Sequence, residues 1–212
     1  MQYIPALKYH FLTPIYDWFI AITMPEQKFK SDLVELITTA NADKILDFGS
    51  GTATLTCMIK NEFPASEVFG LDVDAQIMAI AEKKIKKYNL DINLQLFDGE
   101  ILPYKEHTFG IVVSSLVFHH LTSQQKINAF AEIRRVLKPN GVFLIADWGK
   151  SQNCLMRILF YILQVCDNFY TTNDNVKGKI PDFLAKSGMK NIDILKNYAT
   201  IFGTLSFFSS QK

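Results

Sequence analysis

Five short apolar runs, KILDF, EVFGLD, INLQLF, GIVVSSL and VFLIAD, recur between Lys44 and Asp147 with amphipathic stretches between them. They are rich in β-branched and aromatic residues and read as strands. Their hydrophobicity is continuous rather than alternating, so each strand expects cover on both faces, as in a parallel sheet. The intervening segments follow the helical period instead. PEQKFKSDLVELITTA opens on a proline suited to a first helical turn. DAQIMAIAEKKIKKY sets Ile77, Ala81, Ile85 and Tyr88 on one face, and SQQKINAFAEIRRVL does the same with Ile127, Phe130, Ile133 and Leu137. Ser123 is the expected N-cap of the latter helix, and Pro139 and Gly141 stop it. Strands alternating with helices predict a Rossmann-like, doubly wound α/β fold with right-handed crossovers.

The pattern changes after Trp148. Residues 151 to 170 read as a long apolar helix, TTNDNVKG as a polar loop and IPDFLAKSG as another helix. IDILKNYA and TLSFF follow as two strands, expected to form an antiparallel C-terminal edge hairpin on a mostly parallel, seven-stranded sheet. The chain of 212 residues suits a single domain, 1–212, within which 1–24 is an aromatic-rich covering segment and 151–180 a helical insertion. Lysine and arginine number 22 against 21 acids, so composition supplies no electrostatic reason for a nucleic-acid or anionic-membrane partner. The one dense basic run, Lys83, Lys84, Lys86 and Lys87, falls at a helix end, where cations offset the macrodipole. Cys57, Cys154 and Cys166 form no C-x-x-C pair, so buried, reduced thiols in a cytoplasmic protein are expected, with no metal site. No secretory leader is visible, and CLMRILFYILQVC is too short to span a bilayer and is interrupted by Arg157 and Gln164.

The chemistry is read from ILDFGSGTATLT. In open α/β sheets ligands bind beyond the C-terminal ends of the strands, where strand order reverses. Gly49 and Gly51 stand at that place and let both backbone and ligand approach closely. A dinucleotide-binding turn carries a third glycine where this chain has Thr54. Asp47, two residues before the first glycine, argues the same way. A carboxylate at contact distance from a diphosphate costs about 1 to 4 kcal/mol in wet surroundings, whereas a cationic ligand reverses that sign. A second role, capping the following helix or bonding the loop amides, is compatible with the first.

An acid followed by Gly-x-Gly-x-Gly resembles the first motif of the class I S-adenosylmethionine-dependent methyltransferases, here Asp47, Gly49, Gly51 and, replacing the last glycine, Ala53. VFGLDVDAQIMAIAEKK resembles their second motif, with Asp72 ending the strand, where it accepts from the ribose hydroxyls. Asp74 is read as the cap of the next helix, with ribose contact as its alternative. LQLFDGEILPYKEHTFG resembles the following region, placing Asp98 near the adenine amino group with Gly99 and Glu100 offering backbone; the usual Phe-Asp is Phe109-Gly110 here. The stretch from Val112 to Lys150, with its Lys-Pro-x-Gly turn, completes a resemblance running over roughly residues 10 to 208. It is nearest the small-molecule branch that includes quinone and sterol methyltransferases. The resemblance implies S-adenosylmethionine as donor, S-adenosylhomocysteine as product and in-line methyl transfer to a small-molecule acceptor. It implies cofactor contacts at Tyr16, Asp47, Gly49, Ser50, Gly51, Asp72, Val73, Asp98, Gly99 and Ser114.

His119 and His120 follow the fourth strand on the expected acceptor side. Two roles stay open for each, proton acceptance near neutral pH or packing and capping. Methyl transfer needs no base where alignment alone supplies the acceleration. In the insertion, Leu155, Ile158, Leu159, Ile162 and Val165 read as core, and Phe160 and Tyr161 as faces toward an apolar acceptor. Upstream, Tyr16 is the candidate for the methionine end of the donor, or an aromatic staple between helices. The rival functions are an NAD-dependent oxidoreductase and a catalytically silent interaction module.

Overall fold

Strand β1 (Lys44–Phe48) lies third, beside the central β4, in a seven-stranded sheet whose order is β3-β2-β1-β4-β5-β7-β6. The computed structural model describes residues 26–166, 169–201 and 203–212, with the side chains of Thr39, Leu155, Ile162, Leu163, Val165 and Cys166 apart. β2 (Glu67–Asp72), β3 (Asn93–Leu96), β4 (Phe109–Ser115) and the first part of β5 (Leu137–Gly149) run parallel to β1. β7 (Thr204–Gln211) pairs antiparallel with β5, and β6 (Lys190–Ala199) pairs antiparallel with β7 at the edge. The chain winds outward from β1 through β2 to β3, then returns to β4 on the opposite side of β1. The switch point therefore falls between β1 and β4.

Two apolar layers cover the sheet, because every central strand is hydrophobic on both faces. On one face Ile45, Val113, Ala146 and Trp148 meet α1 (Glu26–Glu35), α2 (Thr54–Glu62), Phe160 of α5 (Cys154–Cys166) and Val176 of α6 (Phe169–Val176). On the other, Leu46, Phe48, Val112 and Ile145 meet Phe130 and Ile133 of α4 (Ser123–Val136) and Phe183 and Leu184 of α7 (Ile180–Lys186). Between β2 and β3, helix α3 (Ala75–Tyr88) buries Ala81 and Ile85 and leaves Tyr88 exposed. Asp74 caps α3 by accepting from the Gln76 and Ile77 amides, and Asn89 ends it in the left-handed conformation. Among the charged run, Lys84 turns back to donate to the Thr52 and Thr54 hydroxyls, at 3.2 and 2.8 Å.

Three sequence expectations are corrected. Thr122, not Ser123, caps α4: its hydroxyl accepts from the Gln125 amide while the Gln125 side chain accepts from the Thr122 amide. Leu137 opens β5, pairing with Phe109, instead of closing the helix face. TTNDNV is helix α6 rather than loop, because tertiary partners take up the polar groups that would otherwise favour a turn. Other side chains also differ from expectation, among them Ile158, expected in the core but exposed. Cys154 is exposed, and Phe160 packs edge-on against Trp148 in the core, 5.3 Å between ring centres. The glycine of Phe109-Gly110 has a steric cause, since a Cβ there would stand 1.9 Å from the Asn41 carbonyl oxygen.

Candidate functional site

The turn after β1 is built by hydrogen bonds to the end of β2. The Gly49 and Ser50 amides both donate to the Leu71 carbonyl, at 2.8 and 2.9 Å. The Gly51 amide donates to Asp72 Oδ2 at 2.8 Å, while Asp72 Oδ1 accepts from the amides of Val73 and Asp74 at 2.8 and 3.1 Å. One carboxylate thus clamps the glycine turn to the strand end beside it. Both glycines are left-handed, Gly49 at φ +74° and Gly51 at +54°. Their surroundings differ. A Cβ on Gly49 would meet Val117 at 2.3 Å, but one on Gly51 would meet nothing within 4 Å among the described residues. Gly49 makes room for the protein, and Gly51 leaves room for something else. Ala53, where the resemblance implies glycine, takes up the left-handed conformation as the N-cap of α2, at φ 59°.

The predicted residues fall into two groups. Asp72, Val73, Asp98 and Gly99 gather at the ends of β2 and β3, next to Gly51. The Phe97 amide donates to the Asp72 carbonyl, and a Cβ on Gly99 would lie 3.5 Å from Val73, which is 39% exposed. Asp98 is exposed and accepts from the Glu100 and Ile101 amides at 2.9 and 3.3 Å; those bonds hold its carboxyl below the usual range. Asp47, Ser50 and Ser114 form the other group and face inward. Asp47 is 1% exposed, on the β1 face that carries Ile45, and accepts from the Thr56 hydroxyl at 2.7 Å. Burial pushes its carboxyl up to about 6, against the Thr56 bond and the Lys30 charge. Ser50 lies against Gly70, and the Ser114 hydroxyl donates to the Phe48 carbonyl at 2.8 Å, tying β4 to β1. Tyr16 lies outside the described residues.

Beyond β4, a 3-10 turn over Phe118–His120 carries the histidine pair, with ring centres 3.9 Å apart. Asp147, near the end of β5 and fully buried, organises this turn. It accepts from His119 Nδ1 at 2.8 Å and from the amides of Phe118, His119 and Trp148 at 2.7, 3.3 and 2.7 Å. Burial alone would raise the Asp147 carboxyl, but the charge and hydrogen bond of His119 outweigh it and hold it below the usual range. The carboxylate assigns the His119 proton to Nδ1. Burial, then the neighbouring His119, push His120 down to about 3, so its ring is neutral at physiological pH.

Behind the turn lies a buried polar cluster. Lys126 of α4, 0% exposed, donates to the Thr171 carbonyl of α6 at 2.7 Å and stands 3.9 Å from Asp174, and burial pushes its ammonium down to about 8. Asp174 also accepts from Ser123 and, at 3.2 Å, from Lys179. Sequence reading missed Asp147, Lys126 and Asp174. The available signals were an acid closing an apolar strand and a lysine placed one turn before the apolar Phe130. Of the insertion residues, Ile158 is exposed, and Tyr161 is exposed beneath the Arg157 guanidinium, 4.1 Å away. Among the described residues no three His, Cys, Asp or Glu are grouped to hold a metal ion, and no helix is long and apolar enough to cross a membrane.

Residues 45–141 match the family model described as a methyltransferase domain. Sheet order, glycine turn and this match together define the class, a Rossmann-like chain resembling the class I S-adenosylmethionine-dependent methyltransferases. Among individual proteins, it is 30% identical over 122 residues to a demethylmenaquinone methyltransferase of Thermotoga maritima, covering 58% of this chain and 51% of that one. It is 29% identical over 155 residues to a malonyl-[acyl-carrier protein] O-methyltransferase of Geobacter sulfurreducens, covering 71% and 57%. The chain spans about half the length of the first curated relatives it matches. The fold matches the crystal structure of a SAM dependent methyltransferase from Aquifex aeolicus with a TM-score of 0.64 at 15% identity, over 90% of this chain and 94% of that one.

Proposed function

We propose that this chain is an S-adenosylmethionine-dependent methyltransferase acting in the cytoplasm on a small-molecule acceptor, with S-adenosylhomocysteine as product. The observation that carries the reading is the opening at Gly51, a left-handed glycine with empty space where a side chain would project, beside the clamped carboxylate of Asp72. The residues present fit the donor. Asp72 Oδ1 is filled by two backbone amides, while Oδ2, bonded by the Gly51 amide alone, keeps a lone pair for a ribose hydroxyl. Val73 and Gly99 offer an apolar ledge for a flat ring, and Asp98 has a second oxygen for an amino group. Asp47, too buried for contact, acts on positive charge through its field, which a diphosphate in the same place would oppose.

When bound, S-adenosylmethionine supplies a methyl carbon on a positively charged sulfur, an electrophile that needs no further activation. The protein's part is alignment and exclusion of water. With its ring pushed down to about 3, His120 is too weak a base to take a proton from an acceptor, so it serves as a neutral packing or hydrogen-bonding group, and Asp147 keeps His119 in one tautomer beside it. The first curated relatives favour a quinol-like acceptor. Isothermal titration should show S-adenosylhomocysteine binding and no NADH binding, with Asp72→Ala weakening the former by about 1 to 3 kcal/mol. Transfer of labelled methyl to demethylmenaquinol then separates an enzyme from a silent module. NADH binding in place of the homocysteine compound overturns the reading.

A further inference from the structure

We propose that Asn175 reads the methyl acceptor, its side-chain amide hydrogen-bonding a neutral hydroxyl on that molecule. The inference rests on the methyltransferase reading above. Asn175 belongs to α6, which packs both on the 3-10 turn carrying His119 and His120 and on β5. It is completely buried, yet among the described residues neither Oδ1 nor Nδ2 has a hydrogen-bond partner. A buried amide normally satisfies both atoms, and leaving them unmet destabilises the fold.

Its buried polar neighbours on the helix are matched. The Thr171 carbonyl accepts from Lys126, the Thr172 hydroxyl accepts from Gln164 at 2.9 Å, and the Asp174 carboxylate accepts from Ser123 and Lys179. Helical spacing puts Asn175 one turn after Thr171, on the side that meets the body of the protein. Other buried hydroxyls without partners among the described residues gather at this same end of the sheet. Ser115 ends β4, Ser151 follows β5, and Thr204 opens β7 opposite Gly149.

The chemistry of the ligand follows from what is already paired. Asp147 is met by His119 and three amides, and Lys126 by Asp174 and a carbonyl, so the cluster holds no charge in want of a counter-ion. An amide offers one donating and one accepting edge, and a hydroxyl both gives and takes a hydrogen bond. A carboxylate would confront Oδ1 with an anion, and an ammonium would confront Nδ2 with a cation.

The test compares the full chain with Asn175→Leu and Asn175→Ala, using labelled S-adenosylmethionine and demethylmenaquinol as the probe. Both variants should bind S-adenosylhomocysteine within about twofold of the parent while transfer falls at least about tenfold through the acceptor KM. Asn175→Leu, which keeps the branching and heavy-atom count and removes the orphaned polar atoms, should melt no lower than the parent. Transfer within about twofold of the parent, or melting of both variants well below it, overturns the assignment. A parent that binds the product yet leaves the probe unmethylated overturns the quinol reading above. That outcome is distinguishable from the other two, and it removes this role as well.

Discussion

Gly49 and Gly51 stand one residue apart and answer to different constraints. Alanine at 49 adds a clash with Val117 to left-handed strain and should cost about 2 to 4 kcal/mol in urea unfolding. Alanine at 51 meets only the strain, about 1 kcal/mol, but its methyl enters the opening and should weaken S-adenosylhomocysteine binding about tenfold or more. Asp47 supplies a second prediction at this scale. Its folded carboxyl, at about 6, lies above the ordinary 3.8 because of burial. Between those values the folded chain holds a proton that the unfolded chain has released, so this group's contribution to stability declines as pH rises through that window. Asp47→Asn should therefore be more stable than the parent by about 1 to 3 kcal/mol near pH 7.5, with the difference vanishing near pH 4. Denaturant titrations at the two pH values check it.

At the scale of elements, α6 is a helix whose inward face is polar. It is held by α4 through Lys126 and Ser123, and by the side chain of Lys179 just beyond its own end. Removing the carboxylate at the centre leaves a buried ammonium with only a carbonyl. Asp174→Asn should cost about 2 to 4 kcal/mol. Combined with Lys126→Met the loss should be smaller than the sum of the single losses, because each change removes the other's unpaired charge; a double-mutant cycle in urea measures the difference. α4 itself depends on a local device, the Thr122–Gln125 box, which is independent of that cluster.

For the molecule as a whole, the proposed donor site joins the ends of β1, β2 and β3, while the histidine turn joins β4 and β5, on opposite sides of the switch point. A ligand that bridges the native strand ends binds only the folded chain. S-adenosylhomocysteine at a hundred times its Kd should add about 2.7 kcal/mol and raise the melting temperature by roughly 5 to 10 °C for a chain of this size. NADH at the same concentration should leave it unchanged, and differential scanning fluorimetry reads both.

The local parts of this protein were legible in the order of its residues. Strand runs, helix periods, the cap at Asp74 and the Gly49–Gly51 turn are each set by neighbours a few positions apart. So was the gathering of Asp72 and Asp98, since parallel strand ends must meet at one edge. The tertiary structure alone decided the rest. Asp47 faces inward to Thr56, Gly110 yields to the Asn41 carbonyl, Asp147 reaches back to His119, and a stretch with the composition of a loop folds as α6 over Lys126. Most of these pair groups far apart in the chain. Burial determines what each polar group must find there, and no local pattern records it.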